Sequence, residues 1–157
     1  MNEPIRVRAI AQPDFAQWKP LWDGYNAFYG RAGNTALPDH ITQSTWSRFF
    51  DPQEPVFALV AESGSAILGL AHYLFHQSTT RIESVCYMQD LFTAPSARGR
   101  GVGRALIEGV YNEAQRYGAR RVYWQTKESN QTARSLYEQV AKHHGFIVYT
   151  KEFSVPR

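Results

Sequence analysis

An α/β fold with a mixed sheet flanked by helices is predicted by three observations. VFALVAE and AILGLAHYLFH read as two strands that meet in a hairpin at Ser63-Gly64-Ser65. Segments whose apolar residues recur at helical spacing stand before and after them. An apolar strand also runs straight into a glycine-rich loop with a helical pattern directly behind it, QDLFTAPSARGRGVGRAL at residues 89–106.

Each element follows in order. IRVRAI alternates and reads as a first strand. Pro13 and Asp14 open a helix whose aromatics Trp18, Trp22, Tyr25 and Tyr29 fall at i, i+4, i+7 and i+11. A polar turn from Gly30 to Pro38 leads to a short helix around Thr42 to Phe50, and the hairpin comes next. SVCYMQDLFTA is apolar on both faces, which predicts a central strand. The helix behind the glycine loop carries Val102, Ala105, Leu106, Val110 and Ala114 on one side. It closes with Arg116 in its last turn and Gly118 as a left-handed cap. RRVYWQT predicts another strand, Asn130 to Lys142 a last helix stopped by Gly145, and FIVYTKEFSV one or two closing strands. No repeat or linker-like stretch interrupts this order, so residues 1–157 are expected to form one domain.

Composition narrows the function classes. The chain is 43% hydrophobic and 20% charged, an ordinary globular balance. Its longest apolar stretches are far too short to span a bilayer, and MNEPIRVRAI has no signal-peptide pattern. The single cysteine, Cys86, has no internal partner, so a reducing cytoplasm is the expected compartment. Its place in an apolar strand predicts a buried structural thiol. The net charge of +3 is small, and no basic run exceeds the pair Arg120 and Arg121, which argues against nucleic acid as a partner.

The glycine loop carries the chemistry. Glycines let backbone approach a ligand closely, and the first N–H groups of a helix have no partner of their own. Such a loop is an anion site, with Arg98, Arg100 and Arg104 clustered around it. A P-loop would need Gly-Lys-Ser/Thr, yet Gly103 is followed by Arg104 and Ala105. A dinucleotide fingerprint would need a third glycine where Leu106 stands, and RRVYWQT ends without an acidic residue for a ribose. What remains, Arg98-x-x-Gly101-x-Gly103 after a strand, resembles the acetyl-CoA pyrophosphate loop of the GNAT N-acetyltransferase superfamily. A second motif agrees: Asn130-Gln131-Thr132-Ala133, Tyr137, then Gly145-Phe146. QDLF, RGRGVGRALIE and NQTARSLY look most like the branch holding the yeast histone- and D-amino-acid-acetylating enzymes and their bacterial relatives. The motif resemblance covers Tyr87 to Phe146, and earlier residues match in element order. It implies a mostly antiparallel central sheet.

The resemblance also implies roles. Acetyl-CoA is the cosubstrate, held by the loop Arg98, Gly99, Arg100, Gly101, Val102, Gly103 and Arg104. Its pantetheine arm pairs with the backbone of Leu91, Phe92 and Thr93 as an added strand would. Asn130 contacts the coenzyme, although its position also suits a helix N-cap. The Tyr137 hydroxyl lies near the sulfur and serves as the acid for the departing thiolate. Some relatives place Glu where Gln89 stands, and Gln89 cannot titrate. Asp90 and, earlier on the same strand, Glu83 are then the candidate bases, Glu83 through water, while a buried strand carboxylate such as Asp90 can equally serve backbone N–H groups. No metal ion enters this chemistry.

The expected acceptor is the primary amine of a small molecule, an amino acid or a polyamine-like amine, or, less in keeping with the absence of a long acidic groove, of a protein. Trp18 and Trp22 are read as core. Tyr25, Phe28, Tyr29 and Gln89 are the candidates for acceptor binding. A degenerate domain that holds acetyl-CoA without turnover is the rival reading, favoured by Gln89 and opposed by Asn130 and Tyr137. Relatives often pair through terminal strands, which leaves a homodimer open, with FIVYTKEFSV as its edge.

Overall fold

Side chains alternate across β2 (Val56–Ser63) and β3 (Ala66–His76), and both faces of these strands are apolar, so the sheet needs cover on each side. The computed structural model describes residues 3–155. The chain divides into two compact units, one reaching Gln125 and the other starting at Thr126.

In the first unit, β1 (Arg6–Ala9), β2, β3, β4 (Val85–Thr93) and β5 (Val122–Tyr123) form one sheet in the order β1-β2-β3-β4-β5. Neighbours are antiparallel from β1 to β4, and β5 joins β4 in parallel. The predicted hairpin is present, with Gly64 at φ +59° in its turn. Val60 and Leu70 pack with Trp18, Leu21, Trp22 and Tyr25 of α1 (Phe15–Phe28) and Trp46 of α2 (Asp39–Arg48). Trp18 stacks on Trp22 at 5.7 Å and Trp22 on Tyr25 at 5.6 Å, so most of the predicted aromatic stripe is core.

The alternate residues face α3 (Val102–Tyr117). A Cβ at Gly69 would meet Val102 and Leu106, and one at Gly109 would meet Val7 and Leu59. Val102, Leu106, Ile107, Val110 and Ala114 are buried, with Ile107 rather than Ala105 completing the stripe. Burying each large aliphatic contributes about 1.5–3 kcal/mol. Gly118, at φ +104°, ends the helix as predicted, and the Ala119 N–H reaches back to the Ala114 carbonyl at 2.9 Å.

The second unit contains α4 (Gln131–Val140). Three expectations need correction. RRVYWQT yields only the two-residue β5. Glu83 does not lie on a strand; it precedes β4 and faces Arg81 at 3.8 Å. FIVYTKEFSV forms no strand, and Phe146, Tyr149, Phe153 and Val155 are each more than four-fifths exposed. A β-compatible pattern marks residues that suit a sheet, but a strand exists only where an edge is there to pair with.

Candidate active site

The β4 strand opens on one side. It pairs with β3 over nearly its whole length, but with β5 only through Cys86 and Tyr87. Beyond Tyr87 no described strand takes up the outer edge, which includes Leu91, Phe92 and Thr93. The register with β3 also slips: His72 faces Asp90, and the next residue, Tyr73, faces Met88. Gln89 is therefore the extra residue of a β-bulge, and it is exposed.

Asp90 is buried by contrast, and it points into an unforeseen network. His72 Nδ1 is 2.9 Å from Asp90 Oδ2, and the Trp18 indole N–H donates to His72 Nε2 at 3.1 Å. Indole can only donate, so Nε2 accepts and the imidazole proton sits on Nδ1, directed at the carboxylate. The Tyr25 hydroxyl lies 3.4 Å from the Gln89 carbonyl. Burial first, and the Asp90 charge second, hold that hydroxyl well above the usual phenol range, so it stays protonated. The bulge thus rests on α1 through Tyr25, and on β3 through His72.

The chain then leaves β4 through a 3₁₀ turn at Pro95–Ala97, where proline cannot extend the ladder. Gly99 and Gly101 follow at φ +80° and +83°. Nothing crowds either residue, so backbone conformation, not space, calls for glycine here. Gly101 is the N-cap of α3, and no side chain caps that end. The first N–H groups of α3 thus lack intrahelical acceptors in a place where the dipole favours an anion. The Val102 side chain is buried. Arg98 lies over the Phe92 ring at 5.8 Å, and Arg100 reaches the Ser63 hydroxyl at 3.5 Å. Phe92 in turn packs on α1, where a Cβ at Gly24 would come within 3.0 Å of its ring.

Among the aromatics expected to bind the acceptor, Tyr25 meets Tyr29 at 5.1 Å, and it also lies near-perpendicular to Phe92 at 6.5 Å. Tyr25 is buried, Tyr29 is half-buried, and Phe28 is exposed. The structure therefore brings Gln89, Asp90, Tyr25, Phe92 and the glycine loop together within the first unit. It leaves Glu83 in the segment before β4. Cys86 is the buried thiol expected, and burial pushes its pKa up to about 12.

In the second unit Asn130 is the N-cap residue of α4, but its side chain does not cap: Nδ2 donates to the Thr126 hydroxyl at 3.0 Å. Capping thus leaves the Asn130 side chain unexplained. Tyr137 stands half-buried two turns further along α4. No group of three metal-ligating side chains occurs among the described residues, and no described helix is long and apolar enough to cross a membrane. Sequence reasoning missed His72, whose signal was a polar residue at an inward position of an apolar strand. It also missed Arg31, which sits in a segment read only as a polar turn.

Comparison with known proteins adds a family to this geometry. The model of the acetyltransferase (GNAT) family matches residues 18–146. The D-amino-acid N-acetyltransferase HPA3 of Saccharomyces cerevisiae is 38% identical over 154 residues, covering 96% of this chain and 92% of that protein. The N-acetyltransferase YhfO of Bacillus subtilis is 28% identical, covering 92% of this chain and 95% of its own. Among solved structures, the aminoglycoside acetyltransferase AAC(6')-Iy, bound to a bisubstrate analogue of CoA, superposes with a TM-score of 0.81. It is 15% identical and covers 97% of this chain and 100% of its own. At that identity the likeness concerns the fold.

Proposed function

Because the chain belongs to the acetyltransferase (GNAT) family and is as such an N-acetyltransferase, we propose that it moves the acetyl group of acetyl-CoA to the primary amine of a small molecule. One observation carries this reading: beyond Tyr87 the edge of β4, which no described strand takes up, runs directly into a left-handed glycine loop at the start of α3, where no described side chain caps the helix. A pantetheine arm extends along that edge at Leu91, Phe92 and Thr93 as an added strand. The diphosphate meets the backbone N–H groups of the loop, with Arg98, Arg100 and Arg104 adding charge. The family model spans both compact units, which supports reading residues 1–157 as one working domain. The buried single cysteine fits a reducing cytoplasm as the compartment.

The chemistry follows from the groups at hand. An alkyl ammonium has a pKa of about 10.4, and freeing its lone pair near pH 7 costs about 4–5 kcal/mol. The free amine attacks the thioester carbon, the carbon–sulfur bond breaks, and the departing thiolate takes a proton from the Tyr137 hydroxyl. Donors at the bulge around Gln89 stabilise the oxyanion as it develops. Asp90 is committed to His72 and acts by placing the bulge and lending its charge to an approaching ammonium. Glu83 is the carboxylate left to accept the proton through water.

Incubation with acetyl-CoA and an amine panel should release free thiol together with an acetylated amine. Tight coenzyme binding with no turnover across the panel would favour the degenerate reading that Gln89 suggests. Amino acids belong first on that panel, because the yeast relative is named for them. Replacing Tyr137 with Phe should lower kcat about ten- to a hundredfold with little change in coenzyme affinity, since a thiol is already a fair leaving group. An unchanged kcat would remove Tyr137 from the reaction. The exposed apolar residues of the terminal segment suit pairing with a second copy. Sedimentation should then show a dimer that a chain truncated before Gly145 does not form, and a monomeric intact chain would exclude it.

A further inference from the structure

Just past α1, the chain turns at Gly30 (φ +81°) and places Arg31 back against the helix, its N–H bonded to the Asn26 carbonyl at 2.8 Å. The side chain is held with unusual care for a residue in a polar turn. Its Nε donates to Asn26 Oδ1 at 2.6 Å, and Asn26 is only 3% exposed, itself anchored by Nδ2 to the Trp22 carbonyl at 2.9 Å. The guanidinium lies over two rings, 5.9 Å from the centre of Tyr25 and 5.7 Å from that of Tyr29. These contacts use Nε and the face of the group. No ion pair or hydrogen bond among the described residues takes up its two terminal nitrogens.

The location gives this arrangement meaning. The hydroxyl end of Tyr25 stands at the Gln89 carbonyl, in the bulge where the acetyl carbon is expected. Tyr25 therefore links the bulge at one end to the fixed guanidinium over its ring. The coenzyme's own arginines sit elsewhere, on the loop after β4. A planar fork of donors, preset by a buried amide and two rings, matches a carboxylate in two-point contact. In a free amino acid the carboxylate and the amine share one carbon, so a molecule held by its carboxylate on Arg31 can lay its nitrogen along Tyr25 toward Gln89.

We propose that Arg31 is the receptor for a carboxylate on the acceptor, and that the acceptor class is amino acids or other amines bearing a carboxylate close to the reacting nitrogen. This rests on the reading of the chain as an amine acetyltransferase. Asn26 is the positioning residue that orients the fork.

The test pairs each amino acid with the amine left after its carboxylate is removed. The protein should acetylate the acid with the lower KM. Arg31→Met should raise that KM at least tenfold, leave the KM of the paired amine unchanged, and leave acetyl-CoA affinity unchanged. Arg31→Lys, which keeps the charge without the fork, should fall between. Equal acetylation of acid and amine, or equal losses for both in Arg31→Met, would overturn the carboxylate site while leaving amine acetylation standing. Should no amine turn over at all, acetyl transfer fails as the function. Calorimetric titration of acid and amine into the protein–CoA complex then still decides the site, since acid binding lost only in Arg31→Met supports it and indifference to the substitution overturns it.

Discussion

Replacing His72 with Phe should destabilise the protein by about 3 kcal/mol, the upper end expected for taking the hydrogen-bond donor from a buried carboxylate. The ring would still fill a space bounded by Trp18, Trp22 and Phe49, whose centres lie 4.7–5.9 Å from the imidazole, so packing loss is small. What disappears is bonding. Asp90 loses the Nδ1 proton 2.9 Å away, and the Trp18 indole N–H loses its acceptor. A buried donor and a buried carboxylate left without partners account for the cost. For a chain of this length the midpoint of thermal unfolding should fall by roughly 6–12 °C. The double variant His72→Phe with Asp90→Asn should recover much of that loss, because the unpaired charge is gone. Differential scanning calorimetry of both variants checks this. A double variant that loses as much as the two singles combined would show that the two side chains are not coupled.

Replacing Gly101 with Val should weaken acetyl-CoA binding at least a hundredfold while the fold survives. Gly101 holds φ at +83°, a region a β-branched residue adopts only at real cost, and no neighbouring atom lies near enough to a Cβ to clash. The strain is therefore released by a local shift of the loop, which moves the first N–H groups of α3 away from the diphosphate. The helix keeps its own support, since Val102, Leu106, Ile107 and Val110 remain buried. Circular dichroism should be unchanged while calorimetry reports the lost affinity. Unaltered affinity would mean that the diphosphate sits somewhere else.

These two sites differ in how far the sequence announces them. Gly101 and Gly118 advertise their backbone angles, because few other residues suit a left-handed position beside a helix. The hairpin at Gly64 and the aromatic stripe of α1 were legible for similar reasons: turn chemistry and helical spacing are local. The His72–Asp90 pair is not local. It depends on which residues of β3 and β4 face each other, and the bulge at Gln89 shifts that register by one. A one-residue slip would have sent Gln89 inward instead, and nothing in the pattern decides between the two. Arg31 was hidden differently, since a polar turn looks alike whether its arginine is solvated or clamped by a buried asparagine. Asn130 suits a cap by position, yet its side chain bonds to the Thr126 hydroxyl instead, a choice that spacing alone does not reveal. The terminal apolar segment has strand patterning and no strand, because alternation specifies a face and leaves the partner unspecified.

Amide hydrogen exchange, with and without acetyl-CoA, tests the coenzyme site most directly. Protection should rise at Leu91 to Thr93 and across Gly99 to Arg104, and change little along β1 and β2. Strong coenzyme binding that leaves those two stretches exchanging as before would contradict the account.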